Sequence, residues 1–160
     1  MRLRRSALGI LNSWVAMPPF FIERYKIRSE LKRLTTFITN YFGSEVDRIV
    51  LFGSYLNLLQ FNFRSDIDIA VILLDSEKWH LIDSNTLKFR DEVPDCRINF
   101  YSTLIELCKT LTRGYDIKIY TKKDLDLIYK RDRYMPGPRG GNFATDIARG
   151  KTIFKNRGAH

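Results

Sequence analysis

The sequence contains few of the residues that build disulfide frameworks and zinc sites. Its 160 residues include two cysteines, Cys96 and Cys108, and two histidines, His80 and His160. The cysteines form no CxxC pair, and neither histidine belongs to a cluster of ligands. The spacing therefore excludes a disulfide scaffold or a zinc finger, and we expect a reduced, cytoplasmic setting.

Long apolar runs and repeats are also absent from the sequence. No stretch approaches the ~18 apolar residues of a membrane span, so we expect no membrane partner. The composition, 44% apolar and 28% charged, is typical of a globular protein. A chain of 160 residues suits one domain with a real core.

Acidic residues are outnumbered by basic ones, 18 against 27, which gives a formal net charge of +9. Residues 121–160 hold ten lysines and arginines against four aspartates. This excess favours an anionic partner, such as a nucleotide, a nucleic acid or an acidic protein surface. The alternative is that the charge serves only solubility.

The domain organisation follows from the ends of the chain. Residues 1–28 are basic and apolar, with no acid before Glu23, and we interpret them as an N-terminal arm. A targeting segment is the alternative. We predict one catalytic domain over 29–156 and a short tail over 157–160.

Hydrophobic periodicity predicts strands that alternate with helices, and this pattern favours an α/β fold with a small mixed sheet. Ser29 is the expected N-cap of the first helix, and Thr121 caps a later one. The predicted strands cover 48–52, 65–74 and 115–120, and the predicted helices cover 29–43, 101–111, 122–130 and 143–149.

The second predicted strand opens with Asp66 and Asp68. Side chains alternate across a strand, so both carboxylates lie on one face and the isoleucines between and after them on the other. Two adjacent acids repel each other, and Asp68 interrupts an otherwise apolar strand. The arrangement is favourable when a divalent cation lies between them.

Gly53 and Ser54 form a turn directly after the first strand. Such a turn lets backbone N–H groups approach a phosphate closely. Asp116 opens the third strand, again with isoleucines on the opposite face, and supplies a third carboxylate. Asp95 is the competing third acid if residues 96–101 form a strand. Three carboxylates beside a phosphate-binding turn indicate two-metal phosphoryl or nucleotidyl transfer.

Gly53-Ser54, followed after twelve residues by Asp66-x-Asp68 in an Ile/Val strand, resembles the DNA polymerase beta-type nucleotidyltransferase superfamily. The short chain is similar to its minimal nucleotidyltransferases, and residues 147–154 resemble their last helix and strand. The resemblance implies the two-layer nucleotidyltransferase fold, ATP as substrate and two Mg²⁺ ions. It assigns metal binding and catalysis to Asp66, Asp68 and Asp116, and nucleotide binding to Gly53, Ser54, Arg64 and Ser65.

The resemblance also implies a partner. Minimal nucleotidyltransferases commonly pair with helical HEPN toxins and, as antitoxins, transfer AMP to a toxin tyrosine. The loop over 55–64 departs from the family pattern, because it lacks the usual early arginine and glycine and is rich in apolar residues. Arg64 is the candidate substitute for that arginine. The apolar loop residues either pack on the domain or form a docking ridge for a partner.

There are three alternative functions. The chain could be a catalytically weak antitoxin that neutralises its toxin by binding. It could be a basic RNA-binding module, which only the charge supports. It could also transfer nucleotides to RNA or a small molecule, although those relatives usually carry a further domain.

Overall fold

The computed structural model describes residues 19–56, 66–83, 85, 86, 88, 94–134, 143–156 and 158. Two compact units divide the chain after Leu34, one covering Met1–Leu34 and the other Thr35–His160. The described part of the first unit, 19–34, is helical. The predicted division into an arm, a catalytic domain and a tail stays a prediction.

A four-stranded mixed sheet forms the centre of the second unit. Its strands are β1 (Val46–Phe52), β2 (Ile67–Leu73), β3 (Tyr115–Thr121) and β4 (Lys151–Lys155). The spatial order is β3-β2-β1-β4. β1 pairs antiparallel with β2 and with β4, whereas β2 and β3 are parallel. The expectation of an α/β fold with a small mixed sheet is confirmed.

The described residues also form four α-helices: α1 (Pro19–Phe42), α2 (Asp95–Cys108), α3 (Lys122–Tyr134) and α4 (Phe143–Arg149). The prediction that Ser29 caps the first helix is wrong, because α1 begins at Pro19 and Ser29 lies inside it. Proline suits the first turn of a helix, where its missing N–H has no partner to lose. The architecture is compatible with a two-layer α/β fold.

One face of the sheet carries a core shared with α3 and α4. Side chains of β1, β2 and β3 pack there with Ile128 of α3 and Ile147 of α4. On β2 this face holds Ala70 and Ile72, and alternation places Asp68 on the same face at the strand's start. The core therefore ends where the acidic residues begin.

The outer edge of β3, on the side away from β2, is covered by side chains of α2. Arg97 donates from Nη1 to the carbonyl of Ile119 at 2.8 Å, and the Tyr101 hydroxyl donates to the carbonyl of Ile117 at 3.2 Å. Unpaired carbonyls on an edge strand invite pairing with another chain. The helix removes that hazard and fixes β3 beside β2.

The buried face of α2 differs from the sequence-based prediction. The helix begins six residues before position 101, and its buried side chains are Arg97, Phe100 and Leu104. Ile105, expected on the buried stripe, is 55% exposed. Cys108 is half-buried, and burial raises the pKa of its thiol.

Within the described residues, no helix combines the length and apolarity needed to cross a membrane.

Candidate metal and nucleotide site

The Gly-Ser turn lies directly against the carboxylate of Asp68, the acidic residue within β2. β1 ends at Phe52, whose register partner is Asp68, and the turn Gly53–Leu56 follows at once. Gly53 has φ +74°, in the left-handed region, and a Cβ there would collide with the Asp68 carboxylate. Glycine is required here because both its backbone conformation and its missing side chain are used.

The third acid comes from the neighbouring strand. Asp68 and Asp116 are register partners in the parallel pair β2–β3, so their side chains leave the same face of the sheet. Asp116 is thus the register neighbour of Asp68, whereas Asp95 is an exposed residue at the start of α2.

Asp66 directly precedes β2 and lies against Gly114, the residue before β3. The amide of Ile67 donates to the carbonyl of Gly114 at 3.0 Å, which joins the starts of the two strands. A Cβ on Gly114 would collide with the Asp66 carboxylate. The two acids therefore point to different neighbours: Asp66 lies against Gly114, and Asp68 lies against Gly53.

The three carboxylates interact electrostatically at Asp68. Burial raises the pKa of Asp68 first, and the negative charges of Asp116 and Asp66 raise it further. Lys118 opposes this shift and lowers that pKa. A carboxylate pushed towards its neutral form by other acids is stabilised by any cation that binds there.

Lys118 is the site residue that sequence reasoning did not assign. Its Nζ lies 2.8 Å from Oδ2 of Asp116, and the two side chains are 37% and 43% exposed. The signal was present in the sequence, because residues two apart on a strand share a face. Asp116 therefore already has a cationic partner within the protein.

The donor set suits a hard divalent cation in part. Carboxylate oxygens are the ligands that Mg²⁺ prefers, and Asp68 lies against Gly53 of the Gly-Ser turn. In the described part of the chain, however, no three or more His, Cys, Asp or Glu side chains form a group that could hold a metal.

Beside the acids, a cleft of about 230 Å³ opens between α2 and β3. Its lining is mostly apolar and aromatic, and Lys118 belongs to it, so the cleft adjoins the acidic site. Burial raises the pKa of Tyr120, one of the lining residues, to about 12. That phenol stays protonated at neutral pH. The lining residues are Leu81, Arg97, Tyr101, Lys118, Ile119 and Tyr120.

A further aspartate, Asp124, lies outside this acidic site and is fully buried at the start of α3. Its carboxylate accepts hydrogen bonds from the amides of Leu81, Ile82 and Thr121 at 3.0–3.2 Å. The Asp124 amide in turn donates to Oγ1 of Thr121 at 3.1 Å, which completes a capping box. The predicted cap at Thr121 is therefore observed.

The Asp124 carboxylate also has two basic neighbours. Nη2 of Arg97 lies 3.8 Å away, and Nδ1 of His80 lies 3.7 Å away. His80 contacts Oγ1 of Thr121 at 3.0 Å, and Arg97 donates to the carbonyl of Trp79. Burial lowers the pKa of Arg97. Donors from the protein surround the Asp124 carboxylate, so we assign this cluster to structure.

Two predicted nucleotide-binding residues, Arg64 and Ser65, lie outside the described residues, as does the apolar loop over 57–63. Comparison with known proteins gives no match: no protein-family model, curated protein or solved structure is matched by this chain.

Proposed function

We propose that the chain is a Mg²⁺-dependent nucleotidyltransferase of the polymerase beta type, with the corresponding two-layer fold. The observation that carries this proposal is the placement of Asp68. It lies against Gly53 of the Gly-Ser turn on one side and beside Asp116 of the parallel strand on the other. The Gly-Ser turn and carboxylates from two strands thus lie at one end of the sheet.

Each residue would have a separate task. The backbone of Gly53 and the backbone and hydroxyl of Ser54 bind the triphosphate, with Arg64 and Ser65 as the further candidates. Asp66 and Asp68 would hold Mg²⁺, and Asp116 would complete the site. One Mg²⁺ ion would supply charge neutralisation at the triphosphate, and a second, held also by Asp116, would lower the pKa of the attacking hydroxyl.

The acceptor we propose is a tyrosine of a HEPN-type toxin, and the chain would act as its antitoxin by transferring AMP from ATP. The cleft between α2 and β3 supports an aromatic acceptor. It is lined mainly by apolar and aromatic groups, and Lys118 connects it to the acids. An aromatic side chain of the acceptor would pack against this lining.

The test uses ATP labelled at its α-phosphate, Mg²⁺, and the protein product of the neighbouring gene. We expect label on the partner protein with the wild type. The Asp66→Asn/Asp68→Asn double variant should lose at least about 10³-fold in transfer, the scale of lost charge stabilisation in a transition state. Asp126→Asn, which alters an exposed acid on α3, serves as the matched control. Equal labelling by the wild type and the double variant would reject the proposal.

A second candidate function is a catalytically weak antitoxin that acts by binding alone. The Lys118–Asp116 pair favours it, because one of the three acids already has a cation partner. This candidate predicts toxin neutralisation that survives Asp66→Asn/Asp68→Asn with no label transferred. The same set of variants therefore distinguishes the two functions.

A further inference from the structure

Lys118 brings a fixed positive charge to the acidic end of the sheet. Its ammonium lies 2.8 Å from the Asp116 carboxylate, within charge-assisted hydrogen-bond distance. The residue is on the same face of β3 as Asp116, and its register neighbour on β2 is the small residue Ala70. The lysine therefore stands beside the acids on the face that they share.

The charge of Lys118 reaches beyond its direct partner. Lys118 also lies on the same face of the sheet as Asp68, which is the register partner of Asp116. One ammonium thus offsets part of the negative charge of the whole set. A divalent cation bridging Asp68 and Asp116 would have to displace this ammonium or bind close to it, and like charges repel at such distances.

We propose that the Lys118 ammonium takes the place of the second divalent cation, so that the site binds one divalent ion, held by Asp66 and Asp68. This inference rests on the proposed function and refines it from two metal ions to one. In such a site Asp116 keeps Lys118 in position beside the acceptor cleft, and it is not a metal ligand.

The number of bound ions tests this inference, with Mn²⁺ alone as the probe. Free Mn²⁺ is counted by its electron paramagnetic resonance signal during titration of the full chain. We expect one ion per chain for the wild type, two for Lys118→Met, and one for Lys118→Arg, which keeps the charge. Removing the freed carboxylate as well, in Lys118→Met/Asp116→Asn, should return the count to one.

The chain offers a matched control at the other end of the strands. Lys122 pairs with Asp47 at 3.0 Å and is 46% exposed, similar to Lys118 in its pair. Asp47 lies near the start of β1, whereas Asp68 pairs with the last residue of β1, Phe52. Lys122→Met removes an ion pair whose carboxylate is more buried than that of Asp116, and it should leave the count at one.

The outcomes separate this inference from the proposed function. Two ions on the wild type would overturn the role of Lys118 and leave the nucleotidyltransferase proposal standing. A count of one for a folded Lys118→Met, checked by circular dichroism, would also overturn it. No Mn²⁺ bound by the wild type would overturn the metal site itself, and the inference with it. The wild-type count decides even if a variant does not fold.

Discussion

Two aspartates in this molecule have opposite surroundings. Asp124 is fully buried, accepts hydrogen bonds from three backbone amides and has Arg97 and His80 nearby. Asp68 is only half-buried, and its main electrostatic neighbours are two further acids and one lysine. The first carboxylate has its charge matched by the protein. The second is left with an excess of negative charge.

The groups around a carboxylate distinguish a structural acid from a functional one. A buried charge is tolerated when donors surround it, and removing it leaves those donors without a partner. Acids that repel each other lower stability, so their placement requires another explanation, such as a bound cation. We therefore expect substitutions at the two sites to have opposite effects on the free energy of unfolding.

The largest effect should come from Asp124→Ala. It removes the acceptor for three buried amides and leaves the Arg97 charge unmatched, so stability should fall by about 3–5 kcal/mol. Urea denaturation measures this loss. Asp126→Ala, at an exposed position on the same helix, is the control and should change little. A small loss for Asp124→Ala would show that the buried cluster is not structural.

Gly53→Ala should cost about 1–3 kcal/mol, because alanine is strained at φ +74° and its Cβ would displace the Asp68 carboxylate. Gly43→Ala is the matched control, since Gly43 has φ +57° and nothing within 4 Å of the added Cβ. The excess of the first loss over the second isolates the collision. Adding Asp68→Ala to Gly53→Ala should recover that excess, and an unchanged loss would contradict the close approach.

Thr121→Val should lower stability by about 1 kcal/mol, since it removes the hydroxyl that accepts from the Asp124 amide and contacts His80. Thermal or urea unfolding measures the change, with Thr103→Val on the exposed side of α2 as control. A neutral result would mean that the capping box adds nothing to the buried cluster.

Asp68→Asn should have the smallest effect and the opposite sign. A carboxyl group whose pKa is raised in the folded protein binds its proton more tightly there, so stability falls as pH rises through that pKa. The variant should therefore be more stable than the wild type at pH 7 by about 0.2–1 kcal/mol, the range for partly solvated charges. The gain should vanish below about pH 4, where aspartate is protonated in the unfolded chain as well. Urea unfolding across that pH range measures it, and a variant less stable at pH 7 would contradict the comparison.

Local patterns predicted β1, β2 and β3 well, whereas β4 was expected only from the family resemblance of residues 147–154. The third predicted strand begins at Tyr115 as observed, and the first two differ from β1 and β2 by at most two residues at either end. Apolar runs and turn residues determine such elements directly. The cap at Thr121 was equally readable, because its partner Asp124 is three residues away.

Long-range partners were not predictable in the same way. Asp124 accepts from residues 81 and 82, and Arg97 donates to positions 79 and 119, so these contacts depend on the tertiary fold. The start of α2 was missed although Pro94 and Asp95 are suitable residues for a helix start. Alternation along the strand placed Lys118 on the same face as Asp116, but the ion pair between them was not predicted.

The central claim is that Asp66 and Asp68, beside the Gly-Ser turn, bind a divalent cation. Paramagnetic broadening of backbone amide signals on addition of Mn²⁺ tests it most directly, because the effect depends on distance from the ion. We expect the amide signals of Gly53, Ser54 and Asp66–Ile69 to broaden first. We expect Asp66→Asn/Asp68→Asn to abolish this broadening. Broadening centred elsewhere, or unchanged in the double variant, would contradict it.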